Sequence, residues 1–410
     1  MALNIVWMAF FIIALVIAFI KCAFLGDTEI FKTLVDGIFD SAKTSVTDVA
    51  FPLAGSMIFF LGIMNIAEKA GAIRHLARLL NPFMKRLFPE VPKDHPAMGE
   101  MVMNFSANML GLDNAATPFG LKAMDSLQQL NSKKDTASNA QIMFLVLHTS
   151  GLTLIPFSII AYRLASGSHD AASIFIPCVL GTVITTLIAI LITGFIQKLK
   201  WDGVFITWLL GIVAFVCLML FGVGNMSAAH KELFGKIAGS FILLLVVVMI
   251  IIAGAIKKVS VFDTFIEGAK NGWTIIIKVI PYLVAMLVAI RVFRDCGALD
   301  YITNGIGYAI HALGINADFV PSLPVAIMKP FSGAGARGLM INSMQTYGAD
   351  SFVGKMSCIF NGSADTTFYI IALYFGSVGI KKVRYAVWAG MATDILGAIA
   401  AVFIGYIFFR

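Results

Sequence analysis

Four short stretches of an otherwise apolar chain carry side chains suited to binding a solute or an ion. Asn104, Ser106, Asn108, Asp113 and Asn114 fall within eleven residues, and Thr117-Pro118 follows directly. Lys329-Pro-Phe-Ser332-Gly333-Ala-Gly335-Ala-Arg337-Gly338 joins two cations to small residues. His148-Thr-Ser150-Gly-Leu-Thr153 runs on to Pro156, and Asn361-Gly-Ser363-Ala-Asp365-Thr366-Thr367 forms the fourth stretch. Amides and hydroxyls suit hydrogen bonds to a polar solute. Backbone N–H groups beside small residues, with Arg337, suit an anion. Asp365, with Asp113 as a second carboxylate, suits Na⁺ or a proton, and His148 suits a proton relay.

Catalysis is not expected. No H-E-x-x-H, Walker A or G-x-S-x-G motif occurs, so no catalytic residue, metal or cofactor is assigned. His148 and Ser150 are two apart and point to different faces of a regular helix, with no third group to orient the histidine. An intramembrane enzyme ranks third among the readings. Cys22, Cys178, Cys217, Cys296 and Cys358 are scattered and form no C-x-x-C pair, so they read as packing residues.

The elements that position these stretches must lie in a bilayer. Of 410 residues, 59% are hydrophobic and 13% charged, with a mean hydropathy of +0.89. Soluble domains run about 45–50% apolar and about 25% charged. This excludes a water-soluble enzyme, a disordered scaffold and a fibre. The net charge of +7 carries no basic run interleaved with aromatics, so nucleic acid is not an expected partner.

About nine spans are expected, at 3–25, 49–66, 140–165, 172–196, 205–223, 233–256, 273–293, 352–376 and 387–409. Lysine and arginine cluster in alternate loops, which predicts a multi-pass protein of the cytoplasmic membrane with its N-terminus inside and C-terminus outside. Residues 96–130 and 320–347 are too apolar for loops and too rich in Gly, Asn, Ser and Pro for spans. They read as re-entrant helical hairpins, with Asp113-Asn114 at the first tip and Thr117-Pro118 opening the return helix. Segments 29–46, 69–88, 259–269 and 300–313 read as amphipathic helices in the interface plane.

The chain can also be laid on itself. Asp36-Gly37 matches Glu267-Gly268 at an offset of 231, Pro52 matches Pro281 at 229, and Gly71-Ala72 matches Gly297-Ala298 at 226. Ser106 matches Ser332 at 226, while Ser150 and Thr153 match Ser363 and Thr366 at 213. The expected organisation is a repeat over 1–197, a linking span within 198–232 and an inverted repeat over 233–410. The fold class is therefore an all-α polytopic membrane protein of two inverted repeats, each with a hairpin, a broken span and interfacial helices.

Residues 1 to about 197 resemble the spore maturation A family, most clearly in Asn108-Met-Leu-Gly-Leu-Asp113-Asn114-Ala-Ala-Thr117-Pro118-Phe-Gly-Leu-Lys122-Ala-Met124. From about 203 on, the chain resembles the spore maturation B family. The carriers there are Lys329-Pro-Phe-Ser332-Gly-Ala-Gly335-Ala and Gly362-Ser363-Ala364-Asp365-Thr366-Thr367-Phe-Tyr-Ile-Ile-Ala-Leu-Tyr-Phe-Gly-Ser-Val-Gly379. The B pattern is expected to read Gly-Ser-Thr-Glu-Thr-Thr, so Ala364 and Asp365 depart from it by a lost hydroxyl and a shorter carboxylate. Both resemblances fall in the Gate, or nucleoside recognition, grouping shared with concentrative nucleoside transporters. They imply a transporter-like fold with hairpins.

The leading expectation is a secondary transporter of a small polar or anionic solute, coupled to Na⁺ or H⁺, at a midplane site between the repeats. Its partners are the solute and membrane lipids, and a homo-oligomer is compatible with the sequence. The alternative is a non-transporting membrane factor for envelope or spore maturation that acts through protein or lipid partners.

Overall fold

A computed structural model describes all residues except Met1, Lys93 and Leu313, and the backbone alone at 2–4, 6, 113–115 and 228. The described chain is helical, with one isolated bridge between Thr136 and Lys382. Its first third runs α1 Ala2–Leu25, α2 Ile30–Thr44, a π-helical segment Ser45–Ala50, α3 Phe51–Lys69, α4 Ala72–Leu87, α5 Pro96–Met109 and α6 Asp113–Leu130. Then come α7 Asn139–Thr149, α8 Phe157–Ala165, α9 Phe175–Ile196, α10 Gly203–Gly224, α11 Ala228–Ile256 and α12 Val261–Asp295. The last third is α13 Ala298–Ala312, α14 Leu323–Met328, α15 Gly333–Tyr347, α16 Phe352–Gly362, α17 Thr367–Ser377 and α18 Ala386–Phe409.

Seven helices among the described residues are long and apolar enough to cross a membrane. The expected spans 140–165 and 352–376 are instead each two short helices around a non-helical stretch, α7/α8 and α16/α17. The chain is thus an all-α, multi-pass membrane protein.

Two boundaries differ from expectation. Segments 29–46 and 259–269 do not stop at the interface. The first continues through the π-helical segment into α3 as one helix of 40 residues, and the second is the start of the 35-residue α12. No glycine or proline interrupts 44–50, and the widened π turn makes room for Pro52, whose ring would clash in a regular helix interior. Segments 69–88 and 300–313 do form separate helices, α4 and α13. Each is preceded by a glycine with positive φ, Gly71 at 86° and Gly297 at 91°, a turn that costs other residues strain. The first hairpin also turns earlier than Thr117-Pro118. Gly111, at φ 72°, ends α5, and α6 already begins at Asp113.

The chain divides into two compact units that interleave along the sequence. The first comprises 1–61, 158–171 and 269–361. In it α1 lies on α12: Trp7 Nε1 donates to Ala285 O at 2.9 Å, and Phe10 stacks on Phe293 at 4.5 Å. Gly335 and Gly338 let α15 approach closely. A Cβ on Gly338 would come within 3.0 Å of Met286 Cβ on α12.

The second unit comprises 62–157, 172–268 and 362–410. Its core surrounds α7, in which every residue from Ala140 to Thr149 is buried. Ser138 opens α7 with a capping box closed by Gln141, which satisfies two otherwise orphaned N–H groups. The amphipathic α4 buries Ile73, Ala77, Met84 and Leu87 in this unit and exposes Arg74, Arg78 and Lys85. Leu79 is 60% exposed among those cations.

Candidate functional site

Within the second unit the two helix breaks meet. The stretch 150–156 that follows α7 passes the stretch 363–366 that precedes α17. Asp365 N–H donates to Thr149 O at 2.8 Å, and Leu154 N–H donates to Met109 O at the first hairpin's tip at 2.8 Å. Gly151 has φ 65°, and a Cβ there would lie 3.0 Å from both Ala364 C and Asp365 N. Backbone that leaves a helix at membrane depth must find partners inside the protein. Each break supplies one for the other, and glycine at 151 permits the approach.

A hydrogen-bonded network flanks this crossing. Asn104 is fully buried on α5, with its Nδ2 donating to Ala116 O at 2.7 Å and its amide also bonded to the Tyr374 hydroxyl. Its Oδ1 therefore remains as an acceptor, 2.9 Å from His148 Nδ1. That nitrogen must carry the proton, which leaves Nε2 as the position where His148 gains or loses one. Asn108 Nδ2 lies 3.1 Å from the same Nδ1. A nitrogen already committed as donor cannot accept, so the half-buried Asn108 amide is the adjustable member of the group. Tyr374 meets the His148 ring edge to face at 5.1 Å. Gly120 makes room for the network, since a Cβ there would strike both the Tyr374 hydroxyl and Asn104 Nδ2.

The other expected residues of this unit divide by role. Asp365 is half-buried, and its Oδ1 accepts from Thr366 N–H at 2.7 Å. Ser150 Oγ bonds Leu147 O at 2.6 Å and Thr186 Oγ1 at 2.9 Å, and Thr153 pairs with Thr182 on α9. Ser106 returns its hydroxyl to Val102 O at 2.7 Å in its own helix and acts as a packing residue. Ser363, Thr366 and Thr367 are buried, while Thr117 is exposed. The side chains of Asp113 and Asn114 lie outside the described residues.

The first unit holds the remaining expected residues. Ser332 caps α15, its Oγ accepting from Gly335 N–H at 3.0 Å, with Gly333 as the first helical residue. Arg337 folds back along the same helix, Nε donating to Gly333 O at 3.3 Å. Asn361 is buried near the end of α16, and its Oδ1 has no hydrogen-bond partner among the described residues.

Sequence reasoning missed two charged groups. Asp394 sits in the middle of α18, 9% exposed, and accepts the Thr367 hydroxyl at 2.7 Å. The rule that singled out Asp365, an ionisable residue inside a span, applies to it equally. In the first unit Arg163, fully buried, donates to Ala349 O, Ser168 Oγ, Asp170 O and Asp350 Oδ1. Asp350 also accepts the Ser168 hydroxyl at 2.6 Å and His169 N–H at 2.8 Å. Partial burial pushes the Asp350 carboxyl up, but these donors and the Arg163 charge outweigh it and hold it below the ordinary aspartate value.

Comparison with known proteins agrees with this architecture. The Gate family, described as nucleoside recognition, matches residues 50–166 and 276–381, which contain both hairpins and both helix breaks. Spore maturation protein B of Bacillus subtilis (strain 168) is 43% identical over 160 residues, which are 39% of this chain and 88% of that protein. Spore maturation protein A of the same organism is 40% identical over 189 residues, 46% of this chain and 92% of that protein. Each relative accounts for about half the chain, as in a fusion of the two. With its two matched regions and these relatives, the chain belongs to the Gate, or nucleoside recognition, family of membrane proteins.

Proposed function

We propose that this protein moves a small polar solute across the cytoplasmic membrane, binding it where the two helix breaks cross in the second unit. The observation that carries this reading is the crossing itself. The two breaks, joined by the bond from Asp365 N–H to the last carbonyl of α7, Thr149 O, are bordered by a carboxylate, a histidine and two asparagines. Discontinuous helices expose backbone dipoles and polar side chains at membrane depth, and secondary transporters place solute and coupling-ion sites at such points. Asp365 is the coupling group for Na⁺ or a proton, and His148 Nε2 passes a proton to or from it. The family's description makes nucleosides the first solutes to try.

Uptake by proteoliposomes of the full chain tests this, with inward Na⁺ and H⁺ gradients applied separately over a panel that starts with nucleosides. Gradient-driven accumulation is expected, and Asp365→Asn should make any residual flux indifferent to the gradient. No flux of any solute overturns the transport reading and leaves the non-transporting envelope or spore maturation factor in its place.

A further inference from the structure

α18 carries a single charged side chain, the carboxylate of Asp394. Asp394 is 9% exposed, and its Oδ2 accepts the Thr367 hydroxyl at 2.7 Å. Thr367 is the first residue of α17, and the residue before it, Thr366, donates its N–H to Asp365 Oδ1 at 2.7 Å. Two carboxylates thus hold successive residues at one helix start, one through the backbone and one through a side chain. The packing keeps Asp394 in place. Gly390, one turn earlier, lies against Thr367, so a Cβ there would come within 2.6 Å of Thr367 Cγ2. Gly397, one turn later, lies against Thr185 of α9 in the same way, at 2.6 Å from Thr185 Oγ1. Glycines on both sides bring α18 close to its neighbours and set its carboxylate beside the start of α17.

We infer that Asp394 is a proton-binding residue whose protonation is coupled to that of Asp365 through Thr366 and Thr367. It lies outside the residues that the family matches, 50–166 and 276–381. The chemistry is a reversal of one hydrogen bond. As a carboxylate, Asp394 accepts the Thr367 hydroxyl. On taking a proton at Oδ2 it becomes the donor, Thr367 Oγ becomes the acceptor, and the threonine hydrogen must turn to another partner. The residue that anchors α17 therefore changes its bonding with each proton, next to the residue that Asp365 holds. A charged carboxylate is costly at this depth, which favours a group that can be neutralised.

Five helices pack on α18, and their titratable groups are few. α7 brings His148, and α17 brings Tyr369 and Tyr374 with Asp365 just ahead of it. α9 and α10 bring only Cys178 and Cys217, and the charged residues of α11, Lys231, Glu232 and Lys236 beside His230, stand in its first turns. The carboxyl and imidazole groups that these elements bring to this point are thus Asp394, Asp365 and His148.

The inference rests on the same crossing as the proposed function but not on transport. Infrared difference spectroscopy of the full chain in lipid vesicles, titrated between acid and alkaline pH, reads buried carboxylic acids through their C=O stretch. It needs neither solute nor gradient. Wild type should show two components, one lost in Asp394→Asn and one lost in Asp365→Asn, with Asp394→Glu restoring the first at a changed frequency. In Asp394→Asn the remaining component's midpoint should move to lower pH by about one unit, a tenfold change, because a neighbouring negative charge has gone. Thr367→Val keeps both acids and should also move the Asp394 midpoint, which covers the case in which the asparagine variant fails to fold. A spectrum unchanged by Asp394→Asn, or an Asp365 midpoint unmoved by it, overturns the inference. Two coupled components with no uptake of any solute overturn the transport reading alone.

Discussion

The turn that follows each hairpin is pinned to a distant loop, and the two units do this differently. In the first unit the turn 348–351 after α15 is held by one buried side chain. Arg163, at the end of α8, donates to Ala349 O at 2.7 Å and to Asp350 Oδ1 at 2.7 Å while also holding Ser168 and Asp170. In the second unit the turn 131–138 after α6 is held mainly by backbone, beside an exposed ion pair between Lys382 Nζ and Asp135 Oδ2 at 3.2 Å. Ala137 N–H donates to Lys382 O at 3.0 Å, and the N–H groups of Lys381 and Lys382 both donate to Asp135 O at 2.9 Å. An arginine takes part there too, Arg384 Nη1 donating to Ala137 O at 3.0 Å, but from an exposed position. The same task, fixing a hairpin's exit, rests on one desolvated guanidinium in one unit and on a short run of main-chain pairing in the other. Loss should therefore be concentrated in the first clasp and spread thinly in the second.

The largest effect is expected at Arg163. Removing one member of a buried charged network strands the rest, and such deletions cost about 3–5 kcal/mol. Asp350 is partly solvated, so Arg163→Met should fall at the low end, about 3 kcal/mol, measured by denaturant unfolding in detergent. A loss under about 1 kcal/mol would mean that the first clasp is as diffuse as the second. Next comes Asp350→Asn, expected to cost about 1–2 kcal/mol because an amide offers one acceptor oxygen where the carboxylate uses two. The folded protein holds the Asp350 carboxyl below its ordinary value. Its contribution is therefore complete above the ordinary aspartate pKa of about 3.9 and is lost as pH falls through the lowered folded value. The stability difference between wild type and Asp350→Asn should shrink over that acid window and stay flat from about pH 5 to 8. A difference that instead grew on acidification would break the assignment.

Much of this arrangement is legible in the residues. Gly, Asn, Ser and Pro in apolar runs mark both hairpins, and Ser150-Gly151 to Pro156 and Gly362 to Thr366 mark both breaks, because such residues leave a helix most readily. What the sequence hides is pairing. Nothing local to Asn104 shows that it meets His148 and Tyr374, and nothing local to Arg163 separates a buried clasp from the polar end of a span. Asp394 is concealed by its surroundings, since one acid in a long apolar helix leaves the hydropathy of a span intact. The run from α2 into α3 is hidden for another reason: a π turn carries no residue signature, so the chain reads as an amphipathic segment ending at 46 and a span starting at 49 where the helix in fact continues. The interleaved units follow from contacts between segments far apart in the chain, which periodicity cannot report.

The smallest effect is expected at Arg384, and it sharpens the comparison most because its terms oppose one another. Arg384 contributes one hydrogen bond to Ala137 O and lies over the Tyr385 ring at 5.2 Å. At an exposed site these contacts contribute about 0.5–1 kcal/mol each at most. Its φ is 52°, however, in the left-handed region, where a side chain costs roughly 1–2 kcal/mol that glycine avoids. Arg384→Gly thus loses two weak contacts, relieves local strain and adds some freedom to the unfolded chain. The main-chain bonds between 381–382 and 135–137 do not involve the side chain and should survive. Stability should change by no more than about 0.5 kcal/mol in either direction. Arg163, in an ordinary helical conformation, has no such strain to release, so its loss stands uncompensated. A loss above about 2 kcal/mol for Arg384→Gly would show that the second clasp, too, depends on a single guanidinium.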